Sequence, residues 1–73
     1  MSEQQVREIV ENFIKQKYPS AHHISFTKIE LKEQSSEYWI DSFFRINFTE
    51  AMCLFCRINA ETGQMIHHSI SLY

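Results

Sequence analysis

Apolar residues recur along the first part of the chain at helical spacing. Val6, Ile9, Val10, Phe13 and Ile14 fall at i, i+3, i+4, i+7 and i+8, a single stripe on a period of about 3.6 residues. Arg7, Glu8, Glu11, Lys15 and Gln16 take the opposite side. Ser2 with Gln5 three positions later matches a capping box, and Glu3 sits where the helix dipole favours negative charge. Pro19 disfavours helical geometry at Tyr18, so the pattern predicts a helix that stops near Lys17 or Tyr18.

The period then changes to two. Ile24 and Phe26 alternate with polar residues, after which the apolar positions switch parity to Ile29 and Leu31. A switch within one strand predicts a bulge near Thr27-Lys28. The polar stretch Lys32 to Glu37 reads as a solvated turn. A long strand follows from Tyr38 to Phe48, with Tyr38, Ile40, Phe44, Ile46 and Phe48 on one side and Trp39, Asp41, Phe43, Arg45 and Asn47 on the other. Thr49-Glu50-Ala51 reads as a hairpin loop. Met52, Leu54, Cys56 and Ile58 form the apolar face of a third strand, and Ile66, His68, Ile70 and Leu72 that of a fourth. Between these two strands Gly63 supplies the left-handed position of a hairpin loop. There is no internal repeat and no low-complexity segment.

Connections this short favour an antiparallel meander, because parallel crossovers need about a dozen residues or more. One helix covers one sheet face. The expected architecture over residues 1–73 is therefore a single two-layer α+β domain, with an N-terminal helix packed on a four-stranded antiparallel sheet in the order α-β-β-β-β.

Within this layout, Phe55-Cys56-Arg57-Ile58-Asn59-Ala60-Glu61-Thr62-Gly63-Gln64-Met65-Ile66 resembles the last hairpin of PepSY domains, which read as an apolar strand, Asp-x-x-Thr-Gly and a second apolar strand. Asn59 takes the Asp position and Thr62-Gly63 matches. The order of helix, Tyr/Trp-containing strand, strand, Thr-Gly turn and strand is also similar, over roughly residues 3–72. The resemblance implies a small cystatin-like module that binds or restrains a partner, in several families a protease. It implies no catalytic residues.

Composition narrows the classes further. The 73 residues are 44% hydrophobic and 22% charged, ordinary values for a globular chain, and one Gly excludes a Gly-rich phosphate loop. A formal charge of −2 and seven scattered basic residues argue against nucleic acid, and no RNP-type motif is present. No run approaches the roughly 18 apolar residues of a membrane span. The polar start, Met1-Ser2-Glu3-Gln4-Gln5, lacks the basic and apolar stretches of a signal peptide, so a cytoplasmic location is expected.

Cys53-Leu54-Phe55-Cys56 has the CxxC spacing of redox and zinc sites, but within a strand residues three apart project to opposite faces. Cys56 is expected in the core and Cys53 on the outer face. Pairing Ile58 with Ile66 across the Gly63 turn sets Cys56 opposite His68 on the helix side. A metal- or thiol-dependent protein using Cys53, Cys56, His67 and His68 is thus the alternative reading; no cofactor or metal ligand set is assigned. Asp41 is the only Asp, and paired carboxylates suited to acid–base work do not appear, so no enzymatic activity is expected.

The outer sheet face is more informative. A three-residue loop at Thr49-Glu50-Ala51 would set Phe43 opposite Arg57 and Arg45 opposite Phe55. Extending the register brings His67 beside Arg57, with Trp39 and Met65 further along. A sheet face left to water is mostly polar, whereas aromatic residues, Met and Arg are the types enriched at protein interfaces. The sequence therefore points to a protein-interaction module of inhibitor or adaptor type. Its partner-binding residues would be Trp39, Phe43, Arg45, Phe55, Arg57, Met65 and His67, meeting a protein partner or a second copy in a homodimer. The competing account is that curling of the sheet, or the chain ends, covers these rings.

Overall fold

A computed structural model describes residues 1–73. The chain forms α1 (Glu3–Lys17), β1 (His22–Lys32), β2 (Glu37–Arg45), β3 (Ala51–Asn59) and β4 (Met65–Leu72), and the sheet runs β1-β2-β3-β4 with every neighbouring pair antiparallel. This is the expected α+β meander.

The helix begins as its capping residues dictate. The Gln5 backbone N–H donates to Ser2 Oγ at 3.2 Å, and the Ser2 N–H donates to Gln5 Oε1 at 2.8 Å, satisfying two donors that the first turn leaves free. Lys15 and Lys17 occupy the last turn, where the dipole favours cations. At the C-terminus the Tyr18 N–H still reaches the Ile14 carbonyl, and Pro19 then prevents continuation.

The stripe that the helix presents to the sheet is Val6, Val10 and Ile14, all buried, against Ile40 and Phe44 of β2 and Leu54, Cys56 and Ile58 of β3. The core thus lies under the two central strands. Ser42 is the one buried polar residue, and its hydroxyl donates to the Leu54 carbonyl at 3.2 Å, which removes the penalty of an unpaired group.

Three irregularities set the faces. The β1–β2 register shifts between Phe26 and Lys28, so Phe26 pairs with Ser42 and Ile29 with Ile40, and both side chains of the parity switch pack on the core. The expected bulge is therefore present. A second shift, between His22 and Ser25, coincides with His23 at φ +52°. The third lies in β4, where His67 pairs with Arg57 but Met65 pairs with Ile58, leaving Ile66 as the extra residue. As a result Met65, not Ile66, packs against the core, and Ile66 is 47% exposed.

The β2–β3 connection also departs from expectation. β2 ends at Arg45, and residues 46–50 are turned by Asn47, whose Oδ1 accepts from the backbone N–H groups of Thr49 and Glu50, both at 2.8 Å. The Ser20 hydroxyl pins the same loop by donating to the Ile46 carbonyl. Phe48, expected on the core face, is 98% exposed in this loop. No helix is long and apolar enough to cross a membrane.

Candidate functional site

The face of the sheet away from the helix is uncovered, and its side chains stand in rows fixed by the strand register. One row runs Glu30, Trp39, Arg57, His67; the next runs Lys28, Asp41, Phe55, Ser69; a third runs Ser25, Phe43, Cys53, Ser71. The earlier loop of the β2–β3 hairpin moves the partners relative to the sequence expectation while keeping the residues within β2 and β3 on their expected faces. Phe43 sits opposite Cys53 rather than Arg57, and Arg45 sits opposite Ala51 rather than Phe55.

The first row is the most organised part. Arg57 donates to Glu37 through Nε (2.9 Å to Oε1) and Nη2 (3.2 Å to Oε2), a two-pronged ion pair between neighbouring strands. The Trp39 indole N–H donates to the same Glu37 Oε1 at 3.1 Å. The Arg57 guanidinium and the Lys32 ammonium both lie over the Trp39 ring, at 5.8 and 4.8 Å from its centre, within cation–π range. Hydrogen bonds from Arg57 hold the Glu37 carboxyl below its ordinary range, against the opposing effect of desolvation, and Glu37 in turn raises the Arg57 guanidinium. Glu30 is lowered in the same sense, chiefly by its hydrogen bond from Lys32.

Trp39 also meets Phe55 edge to face, centroids 5.8 Å apart, and Phe55 meets the His67 ring at 6.1 Å. Trp39 nonetheless remains 38% exposed. Further along, Phe43 packs with Tyr73 at 5.3 Å. Between Phe43, Phe55 and Tyr73 lies a depression of about 310 Å³ lined also by Asp41, Cys53, Ser69 and Ser71. That volume is at the small end for organic ligands and suits a side chain rather than a cofactor.

Of the residues singled out from sequence, Trp39, Phe55, Arg57 and His67 are brought into one cluster, and Phe43 stands beside it at the depression. Arg45 lies at the far end of β2, exposed. Met65 is not on this face, because the β4 bulge turns it to the core. Sequence reading missed Glu37, which it assigned to a solvated turn, and Lys32 beside it. The signal was the alternation Glu37-Trp39-Asp41, which places the carboxylate on the face of Trp39 as soon as β2 is begun one residue earlier.

The cysteines and histidines are dispersed. Cys56 is buried in the core and Cys53 opens on the outer depression; both are free thiols. Burial, with a further contribution from the Asp41 charge, pushes the Cys56 thiol up to about 12, the opposite of an activated nucleophile. Cys56 does pair with His68 in the register, but the His68 ring packs on Phe13 with centroids 5.0 Å apart. His22 and His23 lie on β1, the opposite border of the sheet from His67 and His68 on β4. No group of three or more His, Cys, Asp or Glu residues converges as a metal site would require.

Fold and site together define a two-layer α+β domain with an open aromatic sheet face. No protein-family model matches the chain, and no curated protein or solved structure matches it.

Proposed function

We propose that this protein is a non-enzymatic protein-interaction module, of inhibitor or adaptor type, that acts through the open face of its sheet. The observation that carries the reading is the composition of that face: Trp39, Phe43, Phe55 and Tyr73 stand on a surface that the helix does not cover, beside Arg57 and Arg45. Large aromatics at a well-packed centre, ringed by charge, are the residues that dominate binding energy at interfaces, and Trp39 is already held in one orientation by Glu37, Arg57 and Lys32. The likeness of the 55–66 hairpin to PepSY domains favours the same class, a module that occludes a partner. A metal- or thiol-dependent role through Cys53, Cys56, His67 and His68 would need its ligands to converge, and the two thiols leave β3 on opposite faces.

The test pairs native mass spectrometry of the purified chain with affinity capture, using wild type, Trp39→Glu and Phe43→Glu. Association, with itself or with a captured protein, should be lost in the variants while far-UV circular dichroism stays native. Association that survives both substitutions overturns the assignment of this face.

A further inference from the structure

The charged side chains of the open face are almost all satisfied within the chain. Lys28 and Lys32 both pair with Glu30, and Arg57 pairs with Glu37. Two groups are left over, one of each sign. The Asp41 carboxylate takes part in no ion pair: Lys28, which faces it across β1 and β2, turns to Glu30 instead, and the Thr27 hydroxyl reaches only the Asp41 backbone carbonyl. Arg45 is exposed and likewise has no ion-pair partner. Both lie on β2, on the same face, with Phe43 midway between them.

That spacing is self-complementary. Resting on the reading of the open face given above, we infer that the occupant of this face is a second copy of the chain. The two sheets pack face to face around a two-fold axis that lies in the interface, crosses the strands and passes over Phe43. Such an axis sets the two β2 strands antiparallel, so that each position beyond Phe43 in one copy lies over the position equally far before it in the other. Phe43 meets its own equivalent, and Arg45 of each copy lies over Asp41 of the other. Facing sheets pack about 10 Å apart with their strands within about 30° of each other, and so close to the axis that angle moves the pair little. The arriving guanidinium enters the depression beside Asp41, between the rings of Phe43, Phe55 and Tyr73, where a carboxylate and aromatic walls both favour a planar cation. The hollow is of side-chain size, and the unpaired charges of opposite sign stand equally far on either side of Phe43, which is the arrangement a second copy complements.

Charge reversal tests the pairing by analytical ultracentrifugation and native mass spectrometry. The wild type should dimerise. Arg45→Asp alone and Asp41→Arg alone should each weaken self-association by at least about tenfold, since each sets like charges together on both sides of Phe43. Mixed in equal amounts, the two single variants should form a heterodimer, because one presents only basic groups at these positions and the other only acidic ones. The double reversal, carrying both changes in one chain, should dimerise again. Circular dichroism reports whether each variant is folded. If Asp41→Arg is not, the comparison of Arg45→Asp with Arg45→Lys decides: the first must lose association and the second must keep it. A wild type that stays monomeric over the whole concentration range overturns the inference, as do single variants that associate like wild type or a folded mixture that does not. These outcomes leave the wider reading standing or falling on the Phe43→Glu and Trp39→Glu capture alone.

Discussion

Glu37 opens β2 and Arg57 lies near the end of β3, and the two side chains meet through paired hydrogen bonds of 2.9 and 3.2 Å on the open face of the sheet. The carboxyl is held below its ordinary value by Arg57, and Glu30 is lowered in the same way by Lys32. A carboxyl lowered in the folded state stabilises the fold at pH values above its unfolded value, near 4.5, and this contribution disappears as pH falls through the lower, folded value. Thermal midpoints should therefore be level near neutral pH and decline below about pH 4.5. The decline should be shallower in Glu37→Gln, and a wild-type-like slope in that variant would show that the pair is not responsible.

The two thiols should differ in reactivity. Cys56 is buried and its thiol is pushed up to about 12, whereas Cys53 lies half-buried at the mouth of the outer depression. Because the thiolate is the reacting species, alkylation with iodoacetamide at neutral pH should add one label, at Cys53, with Cys56 modified only on unfolding. Peptide mapping of the labelled protein reads this directly.

Phe44 is fully buried where the helix meets the central strands, and its ring packs on Tyr18 at 5.5 Å. Truncation to Ala should remove about 3–5 kcal/mol. A single core of this size supplies only about that much in total. Phe44→Ala should therefore be unfolded or nearly so at room temperature, and urea titration followed by circular dichroism provides the check.

Gly63 turns the last hairpin at φ +79°, with the Asn59 side chain accepting from Glu61 and Thr62 and its own N–H bonded to the Asn59 carbonyl. A Cβ there would meet Met1 Cε at 2.8 Å and Ile9 Cδ1 at 3.2 Å. The methionine tip can move, but the backbone conformation cannot be relieved in the same way. Gly63→Ala should cost about 1–2 kcal/mol, the left-handed penalty of an L-residue. Gly63→Asn, whose short polar side chain tolerates that region, should lose less. Equal losses in the two variants would place the cost in the contacts rather than in the backbone.

How far the sequence reaches is clearest where it stops. The helix, its cap and its end follow from local chemistry at Ser2, Gln5 and Pro19, and the Thr27 bulge follows from a parity switch that no regular strand accommodates. Alternation assigns each residue of β2 and β3 to a face, and those assignments hold from Trp39 to Arg45 and from Met52 to Arg57. It does not assign partners, because sliding one strand by an even number of residues leaves every face unchanged. Only the loop decides, and Asn47 folds the chain back before Phe48 can join the strand. The β4 bulge is illegible for a different reason. Met65 and Ile66 are adjacent and both apolar, so either satisfies the core pattern, and it is Met65 that pairs with Ile58 and packs on the core. Of the open face, the aromatic and arginine members were legible, whereas Glu37 was hidden by its position at the edge of a polar run.

Both bordering strands of the sheet are irregular, β1 at two places and β4 at one. A border of free backbone groups invites another strand to add to it, and repeated addition is how soluble chains grow into fibrils. Each dislocation interrupts that template and twists it away from a flat approach. The same extra residues that sort Phe26, Ile29 and Met65 into the core therefore guard the margins of the molecule against lateral growth.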